Sequence, residues 1–275
     1  MPPMSPPPES ASAAVGTPAH RGLGDHRPDG VRISGGDTAT PLNLAKRVAL
    51  IETLAGLRGR RVLDAGCGAG EYVEAFVARG ADAVGIEFSA EKVRAYRARH
   101  PDSPRVTRGE LTAVPLPDGR FDLVLLNEVL EHTPDETGTL AEMRRLLKPD
   151  GVLVVFSPNR LFPFETHGVS LRGSGRALSP WVPGLPYLPR ALGRRWFTAW
   201  ARNYGPRELP RLLAAAGFRV TRRAWVWQTF ENISGRQPRW IARAAPLLRR
   251  VAGVLEACPG LRCFGASQVL VAAKA

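Results

Sequence analysis

Apolar and polar positions follow a regular rhythm over residues 41–157. Short apolar segments alternate with stretches in which apolar residues recur every three or four positions, the spacing of one helix face. The segment 121–127 is apolar almost throughout, which is typical of a strand buried on both faces. This rhythm predicts strands at 61–65, 83–87, 105–108, 121–127 and 152–156, and helices over 41–57, 72–78, 91–99 and 135–147. We therefore predict an α/β fold with a parallel sheet and crossover helices.

The rhythm fails after residue 157 and resumes later in the chain. Six prolines between residues 158 and 189 interrupt a stretch that contains aromatic residues but has no clean period. Strand and helix signals then return, as a helix over 206–216 and strands at 219–228 and 267–273. The sheet is therefore expected to continue beyond an interruption.

We predict one domain over residues 41–275, whose regular first half is 41–157. Two insertions, at 158–205 and 235–262, interrupt its second half. The second insertion is expected to be helical, because Trp240, Val251 and other apolar residues recur at helical spacing between arginines. Residues 1–40 are rich in proline and nearly devoid of large apolar side chains, which predicts a disordered tail.

Charge is unevenly distributed along the chain. The net charge of +13 combines a net −2 over residues 1–157, +14 over residues 158–263, where 18 arginines face four glutamates, and +1 from Lys274. All six tryptophans also follow residue 157. A preference for arginine over lysine is typical of GC-rich genomes, but it does not explain this asymmetry. We infer an anionic partner for the second half.

Three cysteines, Cys67, Cys258 and Cys263, provide neither a disulfide framework nor a metal cluster. A reducing cytoplasm is therefore the expected compartment, and no metal is predicted. No apolar run reaches the roughly 18 residues needed to cross a bilayer. The N-terminus also lacks the basic and then apolar regions of a secretory signal.

A glycine turn at 66–70 is the most specific feature of the chain. It joins a strand to a helix, so we expect its backbone N–H groups to be open to a ligand. The spacing is GxGxG, which is neither the dinucleotide fingerprint GxGxxG nor a phosphate loop. Asp64, just before the turn, disfavours a pyrophosphate and suits a ligand that carries an ammonium group.

Acidic residues end the next two strands. Glu87 follows the turn by about twenty residues, where a carboxylate can accept hydrogen bonds from both ribose hydroxyls. Glu110 and Leu111 follow the third strand, where a carboxylate and a backbone N–H can bracket an adenine edge. The order of these features on successive strands predicts one site at the carboxyl edge of the sheet.

The chain resembles the class I S-adenosylmethionine-dependent methyltransferases, specifically the type 11 group that includes quinone-biosynthesis methyltransferases. The resemblance rests on VLDAGCGAG at 62–70, VGIEFS at 84–89, GELTAVPLPDGRFDLVLLNEVLEH at 109–132 and LLKPDGVLVV at 146–155. It implies S-adenosylmethionine as the cofactor. It also implies a doubly wound, Rossmann-like sheet of seven strands in the order 3-2-1-4-5-7-6, whose last strand, at 264–273, is antiparallel.

The resemblance assigns cofactor-binding roles to the strand ends. The glycine turn would bind the amino-acid part of the cofactor, and the end of the second strand would bind the ribose. The end of the third strand would bind the adenine, and the end of the fourth would contact the methionine side. Glu110 stands where an aspartate is commoner in the family. The residues concerned are Asp64, Gly66, Cys67, Gly68 and Gly70, then Glu87 and Phe88, then Glu110 and Leu111, and last Asn127.

Methyl transfer to a hydroxyl or amine needs a proton acceptor, and two histidines are placed to provide one. His132 follows the fourth strand, at the rim where an acceptor meets the methyl group in this fold, and His167 follows the fifth. The competing interpretation of His132 is structural packing, and Glu128 and Glu131 are alternative bases. The mutation His167→Ala is expected to lower turnover about 10²-fold or more if His167 is the base.

The resemblance implies that the half at 41–157 binds the cofactor and that the insertions at 158–205 and 235–262 recognise the methyl acceptor. The basic insertions admit three interpretations. Leu192 and Trp196, with Leu188 and Trp200, are predicted to share one face of an arginine-rich helix, as in helices that lie at a membrane surface. Such stripes also occur on lids that cover a substrate. Arginines and aromatics are likewise found in RNA-binding grooves, although no RNA-binding module is recognisable. The partners left open are a small-molecule or lipid-linked acceptor and the inner face of a membrane, with nucleic acid disfavoured.

Together these observations favour a methyltransferase that uses S-adenosylmethionine on a small-molecule or lipid-type acceptor, with O-methylation preferred to C- or N-methylation. Two alternatives remain open at this point. One is a non-catalytic relative that binds the cofactor, although the intact glycine turn counts against it. The other is an RNA methyltransferase, which the segment Asn127–Leu130 weakens because it does not match the motif of base amino-group methylation.

Overall fold

Seven strands form one mixed sheet in the computed structural model, which describes residues 42–165, 169–176, 178–179, 182–198, 202–231 and 239–275. The strands are β1 (Arg61–Ala65), β2 (Asp82–Glu87), β3 (Val106–Arg108), β4 (Phe121–Asn127), β5 (Leu147–Pro158), β8 (Phe218–Val226) and β9 (Ser267–Lys274). Their order is β3-β2-β1-β4-β5-β9-β8, in which β1 to β5 are parallel and β9 is antiparallel to both of its neighbours. Two further short strands, β6 (Ser170–Leu171) and β7 (Phe197–Thr198), pair with each other outside this sheet.

The predicted fold class is confirmed. When the separate β6–β7 ladder is set aside, the sheet has the expected order 3-2-1-4-5-7-6 with an antiparallel last strand. The predicted helix over 72–78 and the predicted strand at 121–127 fall within one residue of the observed elements. Strand β5 is longer than the predicted 152–156, because it begins at Leu147 and passes an irregularity before its regular pairing with β4.

Seven helices lie along the described chain: α1 (Leu42–Ala55), α2 (Glu71–Val77), α3 (Ala90–Arg99), α4 (Glu136–Leu146), α5 (Arg190–Trp196), α6 (Glu208–Ala215) and α7 (Arg239–Ala257). Helices α1, α2 and α3 bury apolar residues such as Ile51 and Phe76 in one core cluster. Helices α4 and α6 bury Leu140, Leu213 and others in a second cluster. Alternate residues of β4 enter the two clusters, which explains why this strand is apolar throughout.

The first insertion differs from its prediction. Helix α5 ends at Trp196, and the chain continues into β7, so the expected helical face from Leu188 to Trp200 is wrong. Trp200 lies outside the described residues, as do His167 and the tail at 1–40. Gly193 and two β-strand-forming aromatics, Trp196 and Phe197, account for an early end to this helix.

The second insertion is helical as expected, but its apolar residues divide between two environments. Ile241, Ala245 and Ala252 are buried, whereas Trp240 and Val251, which were predicted to share the apolar face, are exposed. Among the described residues, no helix is both long and apolar enough to cross a membrane. The same residues contain no group of His, Cys, Asp and Glu that could hold a metal ion.

Candidate active site

The glycine turn between β1 and α2 requires its glycines. Gly66 and Gly70 both have φ of +85°, a region that residues with a side chain rarely adopt. A Cβ atom at Gly66 would lie 2.6 Å from Val129, and one at Gly70 would lie 2.4 Å from the ring of Tyr96. Gly68 also has a positive φ, of +60°, but its missing Cβ faces open space. The turn is therefore packed from behind at two glycines and open to a ligand at the third.

Four of the five backbone N–H groups of residues 66–70 are already hydrogen-bonded, which corrects the expectation from sequence. Gly66 and Cys67 both donate to the carbonyl oxygen of Ile86, at 2.8 and 3.0 Å. Gly68 donates to Oε2 of Glu87 at 2.8 Å. An anion-binding turn needs free N–H donors. These contacts thus reinforce the argument against a phosphate ligand and leave the turn suited to a different charge.

Asp64 is the next-to-last residue of β1 and is almost completely buried. Its Oδ2 has no hydrogen-bond partner among the described residues. Burial, together with the neighbouring carboxylates of Glu71 and Glu87, raises the pKa of Asp64 to about 8. A buried carboxyl group with an unused oxygen and two acidic neighbours would be stabilised in its charged form by a bound cation.

Cys67 turns its side chain toward the sheet instead of the ligand side. Its Sγ atom occupies the space that a Cβ at Gly85 would fill, 2.5 Å from that position. Burial raises the pKa of the Cys67 thiol, which keeps it protonated. The side chain of Cys67 is therefore not available for the predicted cofactor role, and its backbone N–H is already donated to Ile86.

Glu87 closes β2 and is also buried. Its two carboxylate oxygens accept hydrogen bonds from the backbone N–H groups of Gly68 and Ser89, so its position is fixed before any ligand binds. Phe88, the next residue, is 55% exposed and offers an aromatic face at the edge of the site. An anchored carboxylate beside an exposed ring fits the predicted ribose end of a nucleoside.

The third strand brings its end to the same edge. Gly109 donates to the carbonyl of Glu87 at 3.1 Å, which places Glu110 and Leu111 one and two residues beyond that contact. Glu110 is exposed and Leu111 is half-buried. The structure thus gathers the predicted residues from β1, β2 and β3 along one edge of the sheet.

A buried polar network, which sequence reasoning missed, surrounds the end of β4. The guanidinium of Arg47, on α1, donates to Oδ1 of Asn127 at 2.7 Å and to Oε1 of Glu128 at 2.9 Å. It also donates to the hydroxyl of Ser267 at 2.8 Å. Burial opposes the charge of Arg47, but the Glu128 carboxylate outweighs this effect and the pKa of Arg47 is raised. The only sequence signal was an arginine on the apolar side of a predicted helix.

This network changes the assessment of the alternative bases. Because Glu128 is paired with a buried arginine, its carboxylate is a poor proton acceptor. The backbone of Glu128 has φ of +54°, so its conformation is also held by the surrounding contacts. Glu131 is buried and His132 is half-buried, both in a short 3-10 turn that follows β4. His167 lies outside the described residues.

An apolar cavity of about 350 Å³ lies past the carboxyl end of β5. Phe162 packs edge-on against Phe164 and Trp227, with ring centroids 5.6 and 6.4 Å apart. The sequence indicated aromatic residues here but could not show that they converge. The cavity is lined by Phe162, Pro163, Phe164, Tyr187, Trp227, Phe230, Leu255, Leu261 and Phe264.

The edge of the sheet therefore carries two different half-sites. One has a buried carboxyl group that lacks a partner and an anchored carboxylate next to an open glycine, which suits a nucleoside that bears a cationic amino-acid group. The other is an aromatic cavity for an apolar molecule. A doubly wound sheet with ligand-binding residues at the carboxyl ends of its strands defines the class of Rossmann-like nucleoside-binding proteins.

Comparison with known proteins identifies the family within that class. A family model described as a methyltransferase domain, of the type 11 group, matches residues 63–155. A ubiquinone biosynthesis O-methyltransferase from Thiobacillus denitrificans is 30% identical over 175 residues, which cover 62% of this chain and 69% of the relative. The chain belongs to the S-adenosylmethionine-dependent methyltransferases. The resemblance inferred from the motifs is confirmed, and the family's cofactor is the one that the motifs predicted.

Other similarities extend this result. A ubiquinone biosynthesis O-methyltransferase from Rhodopseudomonas palustris is 33% identical over 175 residues, which cover 62% of each chain. One from Pseudomonas aeruginosa is 37% identical, and the match spans about half (51%) of its length. The crystal structure of an S-adenosylmethionine-dependent methyltransferase from Mesorhizobium loti shares the fold, with a TM-score of 0.55 at 18% identity, and covers 84% of this chain and 98% of that one.

Proposed function

We propose that this protein is an S-adenosylmethionine-dependent O-methyltransferase whose acceptor is a hydroxylated aromatic compound with an apolar tail. The aromatic cavity past the carboxyl end of β5 carries this proposal. A cavity of about 350 Å³ lined by aromatic and aliphatic residues favours an uncharged, apolar acceptor. Relatives that are named for O-methylation in ubiquinone biosynthesis support the same class of acceptor.

The residues of the first half-site fit the cofactor. The carboxylate of Asp64 would accept a hydrogen bond from the ammonium group of the amino-acid part, next to the open space at Gly68. Glu87 would bind the ribose hydroxyls, and Glu110 and Leu111 would bracket the adenine. Asn127 would contact the methionine side. When bound, S-adenosylmethionine supplies a methyl group activated by a sulfonium.

The protein's own contribution is mainly to position the acceptor and to remove its proton. Holding two reactants in line provides most of the acceleration in a direct displacement. The acceptor hydroxyl must lose its proton as its oxygen takes the methyl group, and His132 and His167 are the proposed proton acceptors. Arg47 pairs with Glu128 and fixes Asn127, so this side of the site is held in place by α1.

A transfer assay with labelled S-adenosylmethionine tests the function. We expect methylation of a catechol that carries a short isoprenoid tail, and weaker methylation of catechol itself, because the tail adds apolar contacts in the cavity. Calorimetry with the cofactor runs in parallel. Cofactor binding without transfer to either phenol, or transfer to RNA instead, would contradict the proposal.

Phe162→Leu tests the cavity directly. This variant keeps an apolar side chain but removes two ring contacts, so we expect KM for the tailed acceptor to rise by about 3- to 10-fold. Kd for the cofactor should not change. Phe121→Leu, at a buried position on β4 that does not line the cavity, is the matched control for loss of a phenyl ring. Equal effects of both variants on KM would exclude the cavity as the acceptor site.

The proton acceptor is tested by His132→Gln and His167→Gln. If either residue takes the proton, we expect kcat to fall about 100-fold in that variant while the cofactor Kd stays constant. A more acidic phenol should restore part of the rate, because it loses its proton more easily. Full kcat in both variants would exclude a histidine base.

A further inference from the structure

Exposed apolar side chains are concentrated on the acceptor side of the molecule. Of twelve large apolar residues that are exposed in the described part of the chain, ten lie between residues 182 and 264. A soluble surface carries isolated apolar residues without special significance, but clusters of them mark interaction sites. The ten are Val182, Tyr187, Leu192, Trp196, Trp240, Leu247, Val251, Val254, Leu261 and Phe264.

Helix α7 has two apolar faces. Its inner face is buried through Ile241, Ala245 and Ala252, and the helix is tied to the domain by an ion pair between Glu256 and Lys46 of α1. Its outer face is a stripe formed by Trp240, Leu247, Val251 and Val254, which follow one another at intervals of seven, four and three residues and so share one side. Trp240, Leu247 and Val254 are between 64% and 69% exposed.

Two arginines follow this outer stripe. Arg243 and Arg250 lie one turn from Leu247 on either side and are both exposed. Neither forms an ion pair within the described residues, whereas Arg249, on the inner side, donates to the carbonyl of Thr229. An apolar stripe flanked by free arginines is the pattern of a helix that lies in the surface of an anionic membrane.

The outer stripe adjoins the mouth of the aromatic cavity. Leu255 lines the cavity from α7 itself, while Leu261 and Phe264, just beyond the helix, both line the cavity and remain exposed. A surface that lay against the stripe would therefore also approach this mouth. Aliphatic residues such as Leu247 and Val254 offer no stacking surface for bases, so the stripe favours lipid over RNA.

We infer that the outer face of α7 docks on an anionic lipid bilayer and turns the cavity mouth toward it. The role of this docking rests on the proposed function, because a membrane-embedded acceptor would then enter the cavity without crossing water. The charge on residues 158–263, with 18 arginines and four glutamates, complements such a surface. The lipid contact itself requires neither cofactor nor acceptor.

Co-sedimentation of the full chain with vesicles tests the inference. Vesicles of phosphatidylcholine with about one third phosphatidylglycerol should bind the protein at low salt, and pure phosphatidylcholine vesicles should bind it much less. Leu247→Gln together with Val254→Gln should reduce binding at least about 10-fold, because two apolar side chains leave the interface. Ala242→Gln together with Gly253→Gln changes two exposed positions of α7 that lie outside both the stripe and the buried face, and should leave binding unchanged.

A charge pair of variants completes the test. Arg243→Gln with Arg250→Gln should weaken binding to anionic vesicles about 10-fold or more, whereas Arg94→Gln with Arg97→Gln, on exposed positions of α3, should have a smaller effect. Equal effects of the two charge variants, or no binding at low salt, would overturn the inference. The inference would also be overturned if the stripe variant changed the oligomeric state and left vesicle binding unaltered, because a second copy of the chain would then cover the stripe.

Activity toward a soluble acceptor separates this inference from the proposed function. The stripe variants should methylate a short-tailed catechol in solution as fast as the wild-type protein. Vesicle binding by a protein that methylates no phenol would leave the docking intact and refute the proposed function. Methylation with no vesicle binding would refute the docking alone.

Discussion

Around the glycine turn, polar groups are buried and fixed, whereas around the aromatic cavity apolar groups are partly exposed. Asp64 and Glu87 are both less than 10% exposed, and Glu87 is held by two backbone N–H groups. On the other side, Tyr187, Leu261 and Phe264 line the cavity while each remains at least 40% exposed. The first half-site is built by strand ends of the sheet, and the second by the two insertions together with residues that follow β8 and precede β9.

This difference indicates that the two half-sites select their ligands by different physical properties. A buried carboxyl group selects a ligand by charge and tolerates little displacement of that ligand. The free-energy cost of burying its charge is offset only by a cation placed close to it. An open apolar cavity selects by size and polarity and accepts variation in shape, because apolar contacts are not directional. We therefore expect substitutions on the cofactor side to have larger effects than those on the acceptor side.

The largest expected effect is on the glycine turn. Gly70→Ala places a methyl group against the ring of Tyr96 in a backbone region that alanine avoids, so we expect the free energy of unfolding to fall by about 3 to 5 kcal/mol. Gly68→Ala is the matched control, because its methyl would face open space, and a loss of only about 1 kcal/mol is expected. Denaturant titration measures both.

Cofactor binding by the Gly68→Ala variant tests whether the open side of the turn is the cofactor site. Because the added methyl of Gly68→Ala points into the ligand's space, its cofactor Kd should rise although its fold is nearly intact. A Gly68→Ala protein that binds the cofactor normally would show that the open side of the turn is not the cofactor site.

Asp64→Asn is expected to raise the cofactor Kd about 100-fold, because a buried carboxylate that faces an ammonium group contributes more than a neutral amide. The same change should stabilise the free protein above pH 8, where the buried charge of Asp64 is most costly. Asp102→Asn, at an exposed loop position, serves as the control. Cofactor affinity measured by calorimetry should thus fall, while the Tm of the free protein above pH 8 should rise. An unchanged Kd would contradict the assignment of Asp64.

The sheet and the cofactor side were largely predictable from the sequence. The strands carry continuous apolar segments, and residues such as Asp64 and Glu87 follow them at fixed positions, so the parallel topology alone brings them to one edge. The hydrogen bonds of the turn were not predictable. Whether an N–H group of Gly68 faces a ligand or a neighbouring carboxylate depends on long-range geometry that spacing does not encode.

The acceptor side was less predictable for a physical reason. Its cavity collects side chains from four separate segments, including Phe162, Tyr187, Trp227 and Phe264, none of which belongs to a periodic element with a single apolar face. The outer stripe of α7 illustrates the same limit. Periodicity identified the helix, but it could not tell which of two apolar faces would be buried.

The pH dependence of cofactor binding is the next smaller effect. Asp64 has a pKa of about 8 in the free protein, well above the value of about 4 for an unfolded chain. Since the cation binds the charged form, Kd should fall as pH rises from 6 toward 8, by at most about tenfold per pH unit. Because the folded protein binds the Asp64 proton more tightly than the unfolded chain does, the stability of the free protein should decrease as pH rises through this interval.

Calorimetric Kd values at several pH values check this sign. Two other groups near Asp64 do not titrate in this interval, because burial raises the pKa of the Cys67 thiol and raises the pKa of Tyr72 to about 12. The slope should disappear in Asp64→Asn. A slope that survives in this variant would assign the titration to the ligand's own amino group instead.

The smallest expected effect concerns the contact that joins the two regions. Glu231, beyond β8, accepts hydrogen bonds from the N–H groups of Leu42 and Asn43, at 2.8 and 2.6 Å, and so caps the helix that carries Arg47. Glu231→Gln removes the charge but keeps one acceptor oxygen, so a loss of about 1 kcal/mol, or roughly 2 to 4 °C in Tm, is expected. Because Arg47 fixes Asn127, cofactor Kd should rise by a small factor along with the loss of stability. A change in acceptor KM without any change in cofactor Kd would instead show that α1 serves the acceptor side.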